Sequence, residues 1–213
     1  MPTPSGSTYR LARKPDPWAP PDWVWLGEDG TFGNRFDDPR GMYRVLYASS
    51  QRVGCFLETL ARFRIEPTLL AEFSEIEGED DFYPLGTVPL DWFSIRIMGS
   101  ATVSGDYADI GSSEWISRIR LRLIPHFAEF GLEEFDASTL QKTHPRSLTQ
   151  RISRFVFESR VDGIYYRSKY GHDIDNWALF EPFNISDPRT EPLRLDDPDL
   201  QAALKLHGLK LAS

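Results

Sequence analysis

The stretch that most limits what this chain can fold into is residues 32–64, where a turn, a strand and a helix follow one another within about thirty residues. Tyr43, Val45 and Tyr47 alternate with Arg44, Leu46 and Ala48, the period-2 pattern of a strand with two unlike faces. Ser49 and Ser50 come next, and a side-chain oxygen there is expected to cap the free N–H groups of a helix start. Val53, Phe56, Leu57, Leu60 and Ala61 then recur at i, i+3, i+4, i+7 and i+8, the apolar stripe of a helix. At roughly 100° per residue, Glu58 lies about 130° from the middle of that stripe. Its carboxylate therefore belongs at the helix rim, beside the strand end. Arg35 enters the same neighbourhood from a Gly/Asp/Pro turn. A guanidinium, a phenol and a carboxylate are thereby brought toward the mouth of one strand–helix junction.

The rest of the 213 residues supplies one domain with a sizeable core. Residues 9–12 read as a short strand after a polar leader. Across 14–29 prolines forbid a regular ladder, and Trp18, Trp23 and Trp25 are expected to pin this connection to the body. Residues 65–74, interrupted by Pro67, read as a helix extension or a linker, and 75–81 as a solvated acidic loop. Residues 85–100 hold two strand candidates, the better at 93–98 with Ile95 and Ile97 on one face. Ser112 or Ser113 caps a helix running to about Gly131, with Ile116, Ile119 and Leu123 inward and Pro125 kinking or ending its first part. Ser147 caps a stronger helix striped by Leu148, Ile152, Phe155 and Val156. Strands follow at 164–168 and 177–180, and Asp197, Pro198 and Gly208 bracket a last short helix. Strands and helices mixed without regular alternation point to an α+β fold.

Charge and composition remove several classes of function. Thirty-two acidic against 24 basic residues leave a net −8, which disfavours a general nucleic-acid or anionic-membrane surface. An anionic ligand then has to be held by arginines placed locally. No stretch approaches a membrane span, and the first residues lack the apolar run of a signal peptide. Cys55 is the single cysteine; a buried inert thiol and a reducing, cytoplasmic setting are expected. The histidines at 126, 144, 172 and 207 lack ligand-pair spacing, so no metal is expected. Ser168, His172 and Asp175 are near one another in sequence, but no Gly-x-Ser-x-Gly elbow is present. Neither a P-loop nor a Gly-x-Gly-x-x-Gly fingerprint occurs. Arg35, Tyr47 and Glu58 remain. Taken singly, Arg35 reads as a loop ion pair, Tyr47 as a half-buried strand residue and Glu58 as an exposed helix charge.

Together with Ser168, they resemble the pattern of the RES domain, named for its arginine, glutamate and serine and found in toxins paired with helix-turn-helix antitoxins. Gly33-Asn34-Arg35-Phe36, followed by Asp38-Pro39 and Gly41, is similar to its Gly-Gly-Arg-Trp element. Leu46-Tyr47-Ala48-Ser49 resembles its Val-Leu-Tyr-Thr-Ala strand end, and Phe56-Leu57-Glu58 its Ala-Leu-Leu-Glu helix. Asp162-Gly163-Ile164-Tyr165-Tyr166-Arg167-Ser168, with Trp177-Ala178-Leu179-Phe180, resembles its Gly-x-x-Tyr-x-Ser element and final strand. Asn34 replaces a usual glycine and Phe36 a usual tryptophan. The resemblance covers about residues 9–182. It divides the chain into a mobile leader (1–8), a RES domain (9–185, with an acidic insertion at about 74–84) and a C-terminal extension (186–213) with a short helix.

What the resemblance implies is a single α+β domain like the ADP-ribosyltransferases, with mixed central sheets and flanking helices. It also implies NAD as the substrate, no metal, and a helix-turn-helix antitoxin as partner, without direct nucleic-acid or membrane binding. Three activities fit: an NAD glycohydrolase or phosphorylase, the latter using phosphate; an ADP-ribosyltransferase acting on a protein; and a non-catalytic module. The residue types suit the first. Nicotinamide in NAD is cationic and departs neutral, so no acid is needed to protonate it, unlike an ordinary glycoside. One carboxylate that orients the ribose and stabilises positive charge suffices, and Glu58 is the candidate. Arg35 would neutralise pyrophosphate or phosphate through a bidentate fork, and Arg10 is a second phosphate candidate. Tyr47 would line the nicotinamide-ribose pocket, and Ser168 would bond ribose or nicotinamide.

Overall fold

The computed structural model describes residues 3–4, 6–65, 86–141 and 145–212. Seven strands form one sheet: β1 (Ser7–Arg13), β2 (Val45–Ser49), β4 (Arg96–Val103), β5 (Tyr107–Asp109), β6 (Gly163–Ser168), β7 (Gly171–Phe180) and β8 (Ile185–Pro192). Their order is β5-β6-β7-β2-β1-β4-β8. Only β5 and β6 run parallel; the other neighbours are antiparallel. β3 (Thr87–Val88) and β9 (Lys210–Leu211) make a separate parallel pair. The helices are α1 (Arg52–Leu60), α2 (Leu90–Ser94), α3 (Ser113–Leu123), α4 (Ala137–Gln141), α5 (Arg146–Glu158) and α6 (Pro198–His207). The fold is α+β, a mixed sheet flanked by helices.

Side-chain alternation gives the sheet two faces. One buries Leu46, Ala48, Trp177 and Leu179 with Trp18. The other is covered by two separate helical layers. Toward β5, α3 and α5 pack Ile119, Ile152 and Val156 onto Val45, Ile164 and Ala178. Toward β4, α1 and α6 pack Phe56, Leu60, Leu200 and Leu204 onto Leu11 and Met98. Each such side chain contributes about 1.5–3 kcal/mol on burial, so both layers are firmly held. The seam between them, over β2, β7 and β6, opens into a cavity.

Several local expectations hold. Ser112 caps α3, accepting from Trp115 N, and Gly131 adopts the left-handed region. The α5 stripe faces inward, with Phe155 partly buried, and Asp197, Pro198 and Gly208 bracket α6. Other expectations are corrected. The α1 N-cap is Gln51, without a side-chain cap. Ser50 instead exchanges bonds with Asp175, its Oγ accepting from the Asp175 N (3.0 Å) and its N donating to the Asp175 O (2.8 Å). β7 runs past the end of β2, and its backbone groups claim the serines first. Ser147 lies inside α5, whose N-cap is Pro145. Trp18 is buried, but Trp23 and Trp25 are 38% and 68% exposed, because Asp22 caps a short 3₁₀ turn that carries them outward. The strand expected at 93–98 begins at Arg96: Trp92 and Phe93 belong to α2 and enter the α1–α6 layer, while Ile95 is 46% exposed. The inward residues of β4 are Met98, Ala101 and Val103. The extension or linker at 65–74, beyond Ile65, and the acidic loop at 75–81 lie outside the described residues.

Candidate active site

α1 begins flush against the sheet because residue 54 is glycine. A Cβ there would meet the Ser49 Oγ and would stand 2.7 Å from Ile174 Cγ2, closer than side-chain atoms pack. One turn later Glu58 leaves the helix toward the seam. Its Oε1 accepts from Ser168 Oγ at 2.8 Å and from Asn176 Nδ2 at 3.0 Å. These donors come from adjacent strands, and Asn176 stands opposite both Ser49 on β2 and Tyr166 on β6. Ser168 is buried, and its oxygen also accepts from Tyr170 N at 3.1 Å. Two neutral donors thus fix a carboxylate without neutralising it.

Arg35 sits in a loop held on both sides of its own peptide units. Asn34 N donates to Asp37 Oδ2 (2.6 Å), and Gln150 Nε2 donates to Asn34 O (3.2 Å). Phe36 N donates to the Tyr47 hydroxyl (2.8 Å), and Ser153 Oγ donates to Phe36 O (2.5 Å). The guanidinium carbon lies 4.8 Å from the centroid of the Phe36 ring and 5.3 Å from that of Tyr166. Its Nε is buried with no hydrogen-bond partner among the described residues. Burial lowers the Arg35 pKa, with Tyr166, Glu58 and Tyr47 opposing that shift; an arginine so placed remains charged at neutral pH. A buried cationic N–H without an acceptor is costly, and an anion in the cavity would supply the acceptor.

Tyr47 contributes its ring to the cavity wall. Its hydroxyl is engaged by protein on both sides, accepting from Phe36 N and donating to Asp37 Oδ1 at 3.0 Å. Burial raises the phenol pKa well above its usual value, so it is a neutral donor. Arg10 also lines the cavity. β1 and β2 pair at Tyr9↔Ser49, and beyond that point Arg10 joins them, donating from NH1 to Tyr47 O (2.8 Å) and from Nε to Pro17 O (2.7 Å). Burial pulls its pKa down to about 10.

Arg10, Arg35, Tyr47 and Glu58 therefore line one cavity of about 750 Å³. Ser168 does not line it; the serine stands behind Glu58 and grips it. Sequence reasoning missed Tyr166, Asn176, Arg146, Lys169 and Tyr170, which also border the cavity, and Asp37, which holds Tyr47. Tyr166 carried a signal, since it shares the face of Ser168 by period 2. Asn176 carried none: only the register of β7 brings it beside Glu58. Cys55 borders the cavity, but burial pushes its thiol up to about 12, which leaves it unreactive. Among the described residues no group of three or more His, Cys, Asp or Glu side chains is arranged to hold a metal ion, and no helix is long and apolar enough to cross a membrane.

Comparison with known proteins gives one family. The RES domain model matches residues 8–198. No curated protein matches the chain. Among solved structures, a chain of the M. tuberculosis MbcT–MbcA toxin–antitoxin complex is similar at a TM-score of 0.49 and 11% identity, over 95% of this chain and 88% of that one.

Proposed function

Since this chain belongs to the RES domain family, we propose that it is an NAD-consuming enzyme that cleaves the nicotinamide–ribose bond and acts as a toxin neutralised by a helix-turn-helix antitoxin. The observation that carries the proposal is the pairing, in one cavity, of a carboxylate held among the described residues by two neutral donors with an arginine whose buried Nε has no acceptor among them. The C1′–N bond breaks with its electron pair passing to the pyridinium nitrogen, which leaves as neutral nicotinamide. Positive charge then gathers on C1′ and the ring oxygen, and Glu58 stabilises it electrostatically. An acceptor oxygen bonds to C1′ and sheds its proton to solvent or to a neighbouring base. Arg35 holds the pyrophosphate, its missing acceptor supplied by a phosphate oxygen. Arg10, locked to backbone carbonyls, adds a fixed positive charge. Tyr47 walls the nicotinamide-ribose pocket with its ring, and Ser168 positions Glu58 from behind.

Incubating purified protein with NAD, with and without phosphate, and identifying products by mass tests this. Nicotinamide release is expected, and Glu58→Gln should slow it by about 100-fold, near 2.7 kcal/mol of transition-state stabilisation. NAD that stays intact, with no ADP-ribose appearing on any protein, would end the enzymatic reading. Growth arrest on expression, relieved by co-expressing an antitoxin, tests the toxin role.

A further inference from the structure

The cavity carries more positive charge than the proposed substrate calls for. Among the described residues, Arg10, Arg35, Arg62, Arg64, Arg146 and Lys169 line it against one carboxylate, Glu58, although the chain as a whole is at −8. Arg10 and Arg35, beside Tyr47, suffice for a pyrophosphate. Much of the surplus gathers around another ring. Lys169 Nζ and Arg64 Cζ lie 5.1 and 5.9 Å from the centroid of Tyr170, and exposed Arg62 precedes Arg64 by two residues.

Among the described residues, no carboxylate lies within ion-pair distance of Arg62, Arg64 or Lys169, whereas Arg118, Arg120, Arg122, Arg151, Arg154 and Arg194 each have at least one. The ring they surround is fixed in place. His207 meets it edge-on at 4.9 Å, and the Tyr170 N–H is held by the same Ser168 oxygen that donates to Glu58. An aromatic plate flanked by two cations thus stands one hydroxyl away from the proposed catalytic carboxylate.

We propose that Arg64, Lys169 and Tyr170, with Arg62 beside them, form a second phosphate subsite, one that takes a phosphomonoester dianion in addition to the pyrophosphate of the dinucleotide. This rests on the NAD reading of the same cavity. The guanidinium supplies a planar fork and the ammonium a compact charge, and the Tyr170 ring offers a face for a sugar or base. The dianion is the 2′-phosphate of the dinucleotide, whose sugar and base the Tyr170 face would carry.

The test is calorimetric titration with sodium phosphate and, separately, with adenosine 2′-monophosphate at a fixed ionic strength of about 0.15 M. Three proteins are compared: wild type, R64Q/K169Q, and R118Q/R122Q, which removes the same charge from α3. Arg64 and Lys169 are exposed, so the fold should persist, and overlapping thermal melts check it. Adenosine 2′-monophosphate should bind about tenfold more weakly to R64Q/K169Q and equally well to the α3 control, with inorganic phosphate as the comparison that lacks sugar and base. The NADP-to-NAD ratio of kcat/KM should exceed one and fall about tenfold in R64Q/K169Q. Equal binding to all three proteins, or binding to none, overturns the subsite whether or not NAD is cleaved. A binding difference without NAD cleavage would instead overturn the activity and leave the subsite standing.

Discussion

Replacing Tyr47 by Phe removes one oxygen and should disturb two things, stability and the placement of Arg35. That oxygen accepts from Phe36 N at 2.8 Å and donates to the Asp37 carboxylate at 3.0 Å, and Asp37 is 2% exposed. The variant leaves a backbone N–H without its acceptor and a buried carboxylate short of a donor. Each orphaned group costs about 1–3 kcal/mol, so the pair is expected to cost about 2–6 kcal/mol, a large share of the ~5–15 kcal/mol that holds a domain folded. With a urea m-value of about 2 kcal/mol/M, the midpoint should fall by about 1–3 M. Phe36 follows Arg35 directly, so the loosened loop should also raise KM for NAD more than it lowers kcat. Urea titration and steady-state kinetics on the same preparation check both. A midpoint within about 0.3 M of wild type, with unaltered kinetics, would show that the hydroxyl does not clamp the loop.

Three further outcomes follow from the geometry. Ser168→Ala removes a hydrogen bond to a charged group, worth about 1.5–3 kcal/mol; kcat/KM for nicotinamide release should fall roughly 10- to 100-fold, and an unchanged value would deny Ser168 its hold on Glu58. Gly54→Ala drives a methyl against Ser49 and Ile174; overpacking of about 1–3 kcal/mol should lower Tm by roughly 2–12 °C, and an unshifted calorimetric Tm would contradict the close approach of α1. Asp37 has its pKa raised, chiefly by burial, although Asn34 and Tyr47 donate to it. The folded state therefore binds its proton more tightly than the unfolded state. The stability of wild type relative to Asp37→Asn should be greatest below the unfolded pKa and should decline as pH rises through the folded one. Urea titrations between pH 4 and 7 (roughly the range where a raised carboxyl titrates) test the sign, and a difference that grows with pH would refute it.

Elements whose burial follows their own periodicity are legible in the amino-acid order alone. The α5 stripe, the Ser112 cap and the Asp197-Pro198…Gly208 bracket appear as expected because short-range patterns specify them. Capping at Ser50 fails where a distant strand competes for the same hydroxyl. The placement of Trp23 and Trp25 fails because a tryptophan's size says that it tends to be buried, not which way a 3₁₀ turn will aim it. The strand expected at 93–98 fails because the alternation of Ile95 and Ile97 is too short to outweigh the packing of Trp92 and Phe93 against α1 and α6.

By itself, the sequence determined that Glu58 lies off the apolar stripe of its helix and that Tyr47 lies on a strand just before it. Both follow from the 3.6- and 2-residue repeats, which need no partner. Tertiary structure alone decided that Ser168 donates to Glu58, and that Asn176 joins it. It alone decided, too, that Gln150 and Ser153 secure the loop bearing Arg35. Those contacts join residues more than a hundred positions apart, such as Glu58 to Asn176 and Phe36 to Ser153, or depend on strand register. Neither is written in any local pattern, because register and helix docking are set by the whole core at once.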